Sequence, residues 1–483
     1  MEKSIVIIGA GMGGLAAGIY GRMDGWKTTI FEQHTKPGGQ CASWKRKGYT
    51  FDGCTHHLFG CDPWSQLYSL WEDLGAMPRG LVNTTECVSV ESPNGRMFYD
   101  YWDPNRLEEQ LKEIAPEDAR VIEEYARAIP IFAKEDIFGD VMMAKPLQIA
   151  KNLPNLMRLL KWFKPTMRDF GDRFSNQFLR RTVPLLEYSL PDAPAYLHMV
   201  KHAYGYKGAI AWPVGASIDF AQSIEKRYRE LGGEIHYKQK VKEILTDFGK
   251  AVGVRLEDGT EVSADYVISN ADGRKTIEDM LGGRYGDERI KEWCREPEDE
   301  TPWAVHVFLG VDRDLSREPS ALVLLLDQPL TVGGHTTESV EMQIYGMDPS
   351  MAPPGKGVIK VELVSGYSYW KKLYEEGAAY REEKEKVAEA IISLLDSTHF
   401  SGLKGQVEVV DVPTLMTWER YVGGTHGFLS MPNKKFNPVS MVLGRLDSTL
   451  PGLSNFYLVG TWATSIGALF ANALSGKKII ASL

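Results

Sequence analysis

The chain opens on a strongly patterned stretch. Ser4-Ile-Val-Ile-Ile8 is a short β-branched apolar run of the kind that forms a buried parallel strand, and Thr28-Thr-Ile-Phe31 is a second. Between them, a helix is predicted from about Met12 to Met23. Gly48 to Gly60 reads as extended. Residues 104–204 change period to 3.6, with long stretches such as Leu107 to Ile129, and read as a helical insertion rather than part of a sheet. From Trp212 the pattern changes again. A helix from Ser217 to Leu231 precedes strand-like runs at Glu234–Tyr237 and Val241–Leu245. Ala251–Leu256 and Glu261–Ser263 flank an Asp-Gly turn, a strong hairpin signal, and Ala264–Asp272 ends the unit with a buried strand. Strand-like runs such as Trp303–Gly310 and Gly357–Ser365 accompany a helix at Arg381–Leu395. Asn455–Gly460 is a last apolar strand feeding a helix that begins near Ala468.

Glycines give the first stretch its chemistry. Gly9 permits a sharp turn, Gly11 lets backbone approach a pyrophosphate, and Gly14 lets the helix pack close to the strand. The helix start at Met12 and Gly13 aims free N–H groups and a positive dipole end at phosphate. Glu32 stands 18 residues past Gly14, at the end of the second strand, where it can accept bonds from ribose hydroxyls. A lone GxGxxG is weak, but strand, helix and acid together point to a dinucleotide. Gly282–Gly286 and Gly423–Gly427 lack that context, so no second site for NADPH is expected.

At 483 residues the chain is too long for one core, and 43% hydrophobic with 25% charged residues is ordinary for a globular protein. Five cysteines, Cys41, Cys54, Cys61, Cys87 and Cys294, show no CxxC or zinc spacing, so no metal site is expected and free thiols in a reducing cytoplasm fit best. The first strand begins by residue 4, which leaves no room for a signal peptide, and no run of 18 apolar residues predicts a transmembrane helix. A net charge of −9 speaks against a general nucleic-acid binder. Within it, Val141 to Arg181 carries nine basic and two acidic residues, a local charge of +7 interleaved with Met, Leu, Trp and Phe. That composition describes either a helix lying in an anionic membrane interface or an amphipathic helix with its basic face in water. Pro146, Pro154 and Pro165 break it into short helices in either case.

Order and spacing of several motifs resemble the FAD-dependent phytoene (carotenoid) desaturases, carotenoid isomerases and retinol saturase, within the amine-oxidase-like flavoproteins. These motifs are Gly9–Gly14 with Glu32 and Pro37-Gly38-Gly39, Tyr49–Asp52, Trp212-Pro213 with Gly215, Ala264–Asp272, Met347–Gly355, and Leu458–Gly460 with Ser475-Gly476. The resemblance implies an α/β fold: a discontinuous, Rossmann-type, glutathione-reductase-like FAD-binding domain, a mixed-sheet substrate domain and a helical lid. The boundaries expected are 1–62, 213–295 and 445–483 for the first, 63–103 and 296–444 for the second, and 104–212 for the lid. It also implies FAD contacts from Gln33 and Gln40, from Val241 through its backbone, and from Gly460 with Gly467, Ala468 and Leu469. The chain departs from the pattern at Ala463–Ala471, where a Pro/Gly-rich turn is usual, at Cys54 in place of Gly, and at Gln40 in place of Arg.

Flavin chemistry requires a substrate C–H held over N5 and water excluded. A base is useful, and His56 and His57 follow the flavin-proximal segment. Neighbours on an extended chain face opposite ways, so at most one points at the flavin, with His56 favoured; a structural role for both is the alternative. His306 and His426 are poorer candidates. Cys54 is either a reactive thiol or a small buried hydrophobe. The leading expectation is a peripheral-membrane oxidoreductase at the cytoplasmic face, desaturating, saturating or isomerising a polyene, isoprenoid or lipid, with a quinone, oxygen or another carrier exchanging electrons. An amine oxidase using oxygen and a flavin-bearing lipid carrier are the competing readings.

Overall fold

The computed structural model describes residues 3–54, 57–78, 80–143, 145–295, 301–425, 448–464 and 467–483. Its nucleotide-type sheet has five parallel strands in the order Glu234–Tyr237, β2 (Lys27–Glu32), β1 (Ser4–Ile8), Tyr266–Ser269 and Phe456–Leu458. Three distant parts of the chain thus supply one sheet. The alternating directions of side chains along β1 explain its unbroken apolar sequence. Ile5 and Ile7 pack with Leu15, Ala16 and Ile19 of helix α1 (Met12–Met23), while Val6 and Ile8 pack with Ile244 and Val254 of the three-stranded antiparallel sheet on the other face.

A second, seven-stranded sheet runs Val407–Asp411, Thr301–Val311, Gly357–Ser365, His335–Ile344, Ala321–Val332, Glu86–Glu91, Met97–Tyr101. It is antiparallel except where Ala321–Val332 meets Glu86–Glu91. The helix Ala378–Ser397 covers it through Val387, Ile391 and Leu395. A hairpin of β3 (Ser43–Arg46) and β4 (Tyr49–Asp52) bridges the two halves: its Phe51 stacks on Phe308 of the second sheet, and Asp52 accepts from the backbone N–H and the hydroxyl of Ser217.

The helical region differs from its periodicity in one respect. The run from Leu107 to Ile129 is two helices, Pro104–Ile114 and Ala119–Phe132. Proline excludes the helical conformation from the residue before it, and Ala115, preceding Pro116, sits at φ −142°, ψ 71°. Farther on, Pro146 opens one short helix and Pro154 lies in the first turn of the next, Leu153–Leu159. Among the described residues no helix is long and apolar enough to cross a membrane.

Two tests follow from this packing. A Cβ on Gly476 would lie 2.5 Å from the Gly13 carbonyl oxygen and 2.6 Å from the Ala17 nitrogen, both backbone atoms. Alanine there gains about 1 kcal/mol of helix propensity, but overpacking against rigid backbone costs about 1–3 kcal/mol. Gly476→Ala is therefore expected to lower Tm and flavin content, and a thermal melt with flavin release measures both. The second test concerns His399, which bonds Glu318 at 2.9 Å and also Glu91, tying the helical layer to the sheet. Chiefly through Glu318, its pKa is raised above the usual value of about 6.5. The link is complete below that value and is lost as pH rises through the folded-state pKa; Glu318, lowered by His399, loses its share in acid. His399→Gln should lower Tm at about pH 6 and leave it nearly unchanged at about pH 9, as the sign of the shift requires.

Candidate functional site

The strand–turn–helix at the N-terminus is held by backbone geometry. Gly9 takes φ +92°, its N–H bonds Phe31 O, and the Gly38 N–H bonds Ala10 O, so two turns meet beside the end of β1. A Cβ on Gly14 would lie 2.1 Å from the Gly9 carbonyl oxygen. Gly14 is thus a packing residue, as its spacing suggests, and it does not line the cavity. Helix α1 starts at Gly11 with no side-chain cap and no acid in its first turn. Its first N–H groups and positive dipole end are left for an anion.

A second uncapped helix start stands beside it. The helix Leu469–Ile480 begins at Ala468, again without a side-chain cap or a first-turn acid. Asn270, at the carboxyl end of Tyr266–Ser269, sits between the two. Cβ atoms on Gly11, Gly13 and Gly460 would meet its side chain at 2.4, 2.6 and 2.5 Å. Glu32 is buried at 8% exposure; it accepts from the Ala10 N–H at 2.7 Å and from the His34 N–H at 2.7 Å. Each carboxylate oxygen keeps a further lone pair.

These elements open on one cavity of about 2190 Å³. Gly9, Gly11, Met12, Gly13, Glu32, Gln33, Gly38, Gly39, Gln40, Val241, Gly460, Gly467, Ala468 and Leu469 line it, and so does His57. His57 lies edge-on to Trp102 and Trp212, with ring centroids 6.2 and 6.0 Å away. His56 and His426 lie outside the described residues, as do Ser465 and Ile466 of the variant turn. His306 is fully buried in the second sheet, 3.6 Å from Glu362, and does not line the cavity.

The structure adds residues that the sequence reading did not single out. Asn270 is one; its signal was a polar residue directly after a buried parallel strand, where ligand crevices form. Asp272 and Lys275 follow it on the wall, and both bond the strap before residue 426: Asp272 accepts from the Thr425 hydroxyl and Lys275 donates to Gly423 O. At the opposite end Glu187 lines the cavity. Burial opposes its charge, but Lys201 at 2.8 Å and His198 at 3.5 Å hold it below the usual carboxylate range. Behind it, the Tyr125 hydroxyl meets His198 Nε2 at 2.7 Å and His202 Nε2 at 3.1 Å, and His202 bonds Asp100 at 3.0 Å. Asp100, His198 and His202 are the one group among the described residues close enough to share a cation. Their facing atoms are joined in these hydrogen bonds.

The donor set fits a dinucleotide. Two uncapped helix starts supply N–H groups, glycines remove side chains where backbone must approach, and Glu32 offers lone pairs at the strand end. Glu32→Ala would remove a charged acceptor offered to the cofactor, and hydrogen bonds to charged groups contribute about 1.5–3 kcal/mol. The expected result is FAD affinity lower by roughly 10- to 100-fold, measured by titrating apoprotein and following flavin fluorescence.

Comparison with known proteins agrees with the geometry. The family model for flavin containing amine oxidoreductase matches residues 12–475. Prolycopene isomerase of Daucus carota is 25% identical over 98% of this chain and 79% of its own length. The neurosporene-forming phytoene desaturase of Rhodobacter capsulatus is 24% identical over 99% of this chain and 93% of its own. Among solved structures, an oxidoreductase from Methanosarcina mazei superposes with a TM-score of 0.62 at 18% identity, covering 99% of this chain and 100% of that one. Putrescine oxidase does so with 0.59 at 13%, covering 100% and 98%. The chain belongs to the flavin containing amine oxidoreductase family and is an FAD-dependent oxidoreductase.

Proposed function

We propose that this protein acts on carbon–carbon bonds of a hydrophobic polyene, isoprenoid or lipid-like substrate, by desaturation, saturation or isomerisation. The observation that carries this reading is the size and lining of the cavity. At about 2190 Å³ it exceeds twice the roughly 1000 Å³ upper range of ordinary ligand pockets. It runs from the glycine turns to a wall containing Phe59, Phe138, Tyr196, Leu197, Val200 and Phe470. Phe470 contacts both Phe59 and Phe138, with ring centroids 5.8 and 5.6 Å apart. A dinucleotide fills the polar end, and the apolar end takes a long hydrocarbon and excludes water. The isomerase and desaturase named among the relatives fit the same substrate class.

In this reading residues 1–62, 213–295 and 445–483 hold FAD, 63–103 and 296–444 form the substrate side, and 104–212 form the lid. Gly9, Gly11, Met12 and Gly13 face the pyrophosphate, Glu32 the ribose and Val241 the adenine; Gly460 and Gly467–Leu469 lie by the ring. Bound FAD supplies two-electron chemistry, taking or returning a hydride at N5. The aromatic wall orients the substrate, and His57 or Glu187 holds or moves the proton that leaves or enters the neighbouring carbon. Electrons pass onward to a quinone, oxygen or another carrier. The decisive experiment is anaerobic incubation of FAD-loaded protein with phytoene and with prolycopene, followed by chromatography. A changed polyene spectrum is expected. Unchanged polyenes together with hydrogen peroxide release from putrescine in a parallel aerobic assay would establish the amine-oxidase reading instead.

The lid supports a membrane-surface location, at the cytoplasmic face. Leu147, Leu153, Met157, Leu160 and Phe163 are exposed, Leu147 at 74% and Met157 at 60%. Exposed Lys151, Arg158 and Lys164 lie among them, and among the described residues none is in an ion pair, whereas Lys161 is bound to Glu124 at 2.9 Å. Each free basic residue contributes about 1 kcal/mol at an anionic surface. Changing Lys151, Arg158 and Lys164 together to Gln should weaken binding to phosphatidylserine vesicles by roughly 100-fold. Unchanged sedimentation with vesicles would refute the membrane role.

A further inference from the structure

Two cysteines stand at the base of the β3/β4 hairpin, on the cavity wall. Ser43 pairs with Asp52, and the Gly53 N–H bonds Ala42 O at 3.0 Å, so the ladder continues one residue beyond the named strands. The next pair in that register is Cys41 and Cys54. Residues directly opposite on antiparallel strands have Cα atoms about 4.5–5.5 Å apart, inside the roughly 4.4–6.8 Å range that a disulfide spans. The two sulfurs are already in contact, with Sγ–Sγ 3.7 Å. By contrast, Cys61 donates to Gly208 O, and Cys87 is buried.

Both ends of the pair are held in place. Cys41 donates its N–H to Gly38 O within the Gly38-Gly39 turn, and Cys54 donates its N–H to Asp52 Oδ1 at 2.9 Å. Gly39 in turn lies against Gly11, where a Cβ would be 3.4 Å from the Gly11 Cα. Trp418 closes the hairpin end: a Cβ on Gly53 would be 2.3 Å from its ring. Cys41 is buried at 1% exposure, Cys54 is partly exposed, and both line the cavity that holds Gly39 and Gly460.

We propose that Cys41 and Cys54 are a redox-active dithiol that closes to a disulfide and passes its electron pair to the flavin in the same cavity. The step balances: two S–H bonds break, one S–S bond forms, and two electrons with two protons leave. Oxidised FAD, the two-electron acceptor, takes the electrons, and one proton remains for the solvent or a cavity base. Cys54, the accessible sulfur, is the point of exchange with outside thiols, and Cys41 is its resolving partner. Consistent with this, the hydrogen bond to Cys54 and then burial raise the Cys41 thiol well above its ordinary range, which keeps it protonated until Cys54 reacts. The pair would let a small dithiol reductant load the flavin directly. This inference rests on the FAD assignment and not on the choice of substrate.

The test uses full-length protein and reads thiols and flavin separately. Apoprotein equilibrated in dithiothreitol buffers of graded redox poise is alkylated and mapped by mass spectrometry. A Cys41–Cys54 linked peptide should appear on oxidation, with Cys61, Cys87 and Cys294 still alkylated. Oxidised FAD added anaerobically to prereduced protein freed of reductant should lose its absorbance in step with formation of that peptide. Cys54→Ser and Cys54→Ala should abolish both signals while retaining bound flavin, which covers the case in which buried Cys41→Ser fails to fold. Alkylation of all five thiols under oxidising conditions overturns the proposal. So does a disulfide that forms without any change in the flavin spectrum, or bleaching that persists in the Cys54 variants.

Discussion

The structure depends on backbone approaching backbone where three distant parts of the chain meet. Gly13 and Gly460 close on Asn270, and Gly476 closes on Gly13, with no space for a Cβ at any of the three. Any side chain there would separate α1 from the helix Leu469–Ile480 and from the strand that leads to Gly460. Because they touch, two uncapped helix starts face one cavity, and their dipoles add where an anionic cofactor lies. The same contact orders the sheet, since Gly460 follows Phe456–Leu458 and Asn270 follows Tyr266–Ser269, adjacent parallel strands. Hydrophobic burial stabilises the layers. The absence of side chains at this junction lets them meet in the geometry a dinucleotide needs.

From that junction the cavity continues to the helical region, and the character of its walls changes along the way. Close to the glycines the polar groups are backbone N–H and the Glu32 carboxylate. Beside the helical region they give way to aromatic rings, with Glu187 as the buried exception. Glu187 stays ionised because Lys201 lies beside it and the Tyr125–His198–His202–Asp100 chain stands behind. A buried polar network is costly unless its members are paired. Here the pairing locks the helix Ala195–Tyr206 onto the helix Ala119–Phe132 and the strand Met97–Tyr101, fixing the far wall of the cavity. The outer surface of the helical region is different: exposed Leu147, Leu153 and Met157 stand among Lys151, Arg158 and Lys164, which are in no ion pair among the described residues.

The cofactor half of the site was legible in the sequence because its determinants are local. Glycines at positions 9, 11 and 14 read the same way in isolation as in the fold, since a left-handed turn or a close helix–strand contact spans only a few residues. The breaks at Pro116, Pro146 and Pro154 are local too, although the run from Leu107 to Ile129 concealed the first behind its apolar period. Asn270, Glu187 and the Asp272–Thr425 strap were not legible. Each becomes part of the site only when strands or helices far apart in sequence are brought together. The cysteines show the same division: their spacing matches no familiar motif, and only the β3/β4 register sets one opposite the other.

By itself, then, the sequence determined the strand–turn–helix that receives a dinucleotide, the alternation of sheet and helical regions, and the basic, apolar character of residues 141–181, because each is written in the spacing of neighbouring residues. Tertiary structure alone decided that the two helix starts share one cavity, that an aromatic hollow extends it, that Lys161 is occupied by Glu124 while Lys151, Arg158 and Lys164 stay exposed, and that two thiols lie in contact on its wall. Those outcomes depend on packing between segments up to several hundred residues apart, and no local pattern encodes where such segments meet.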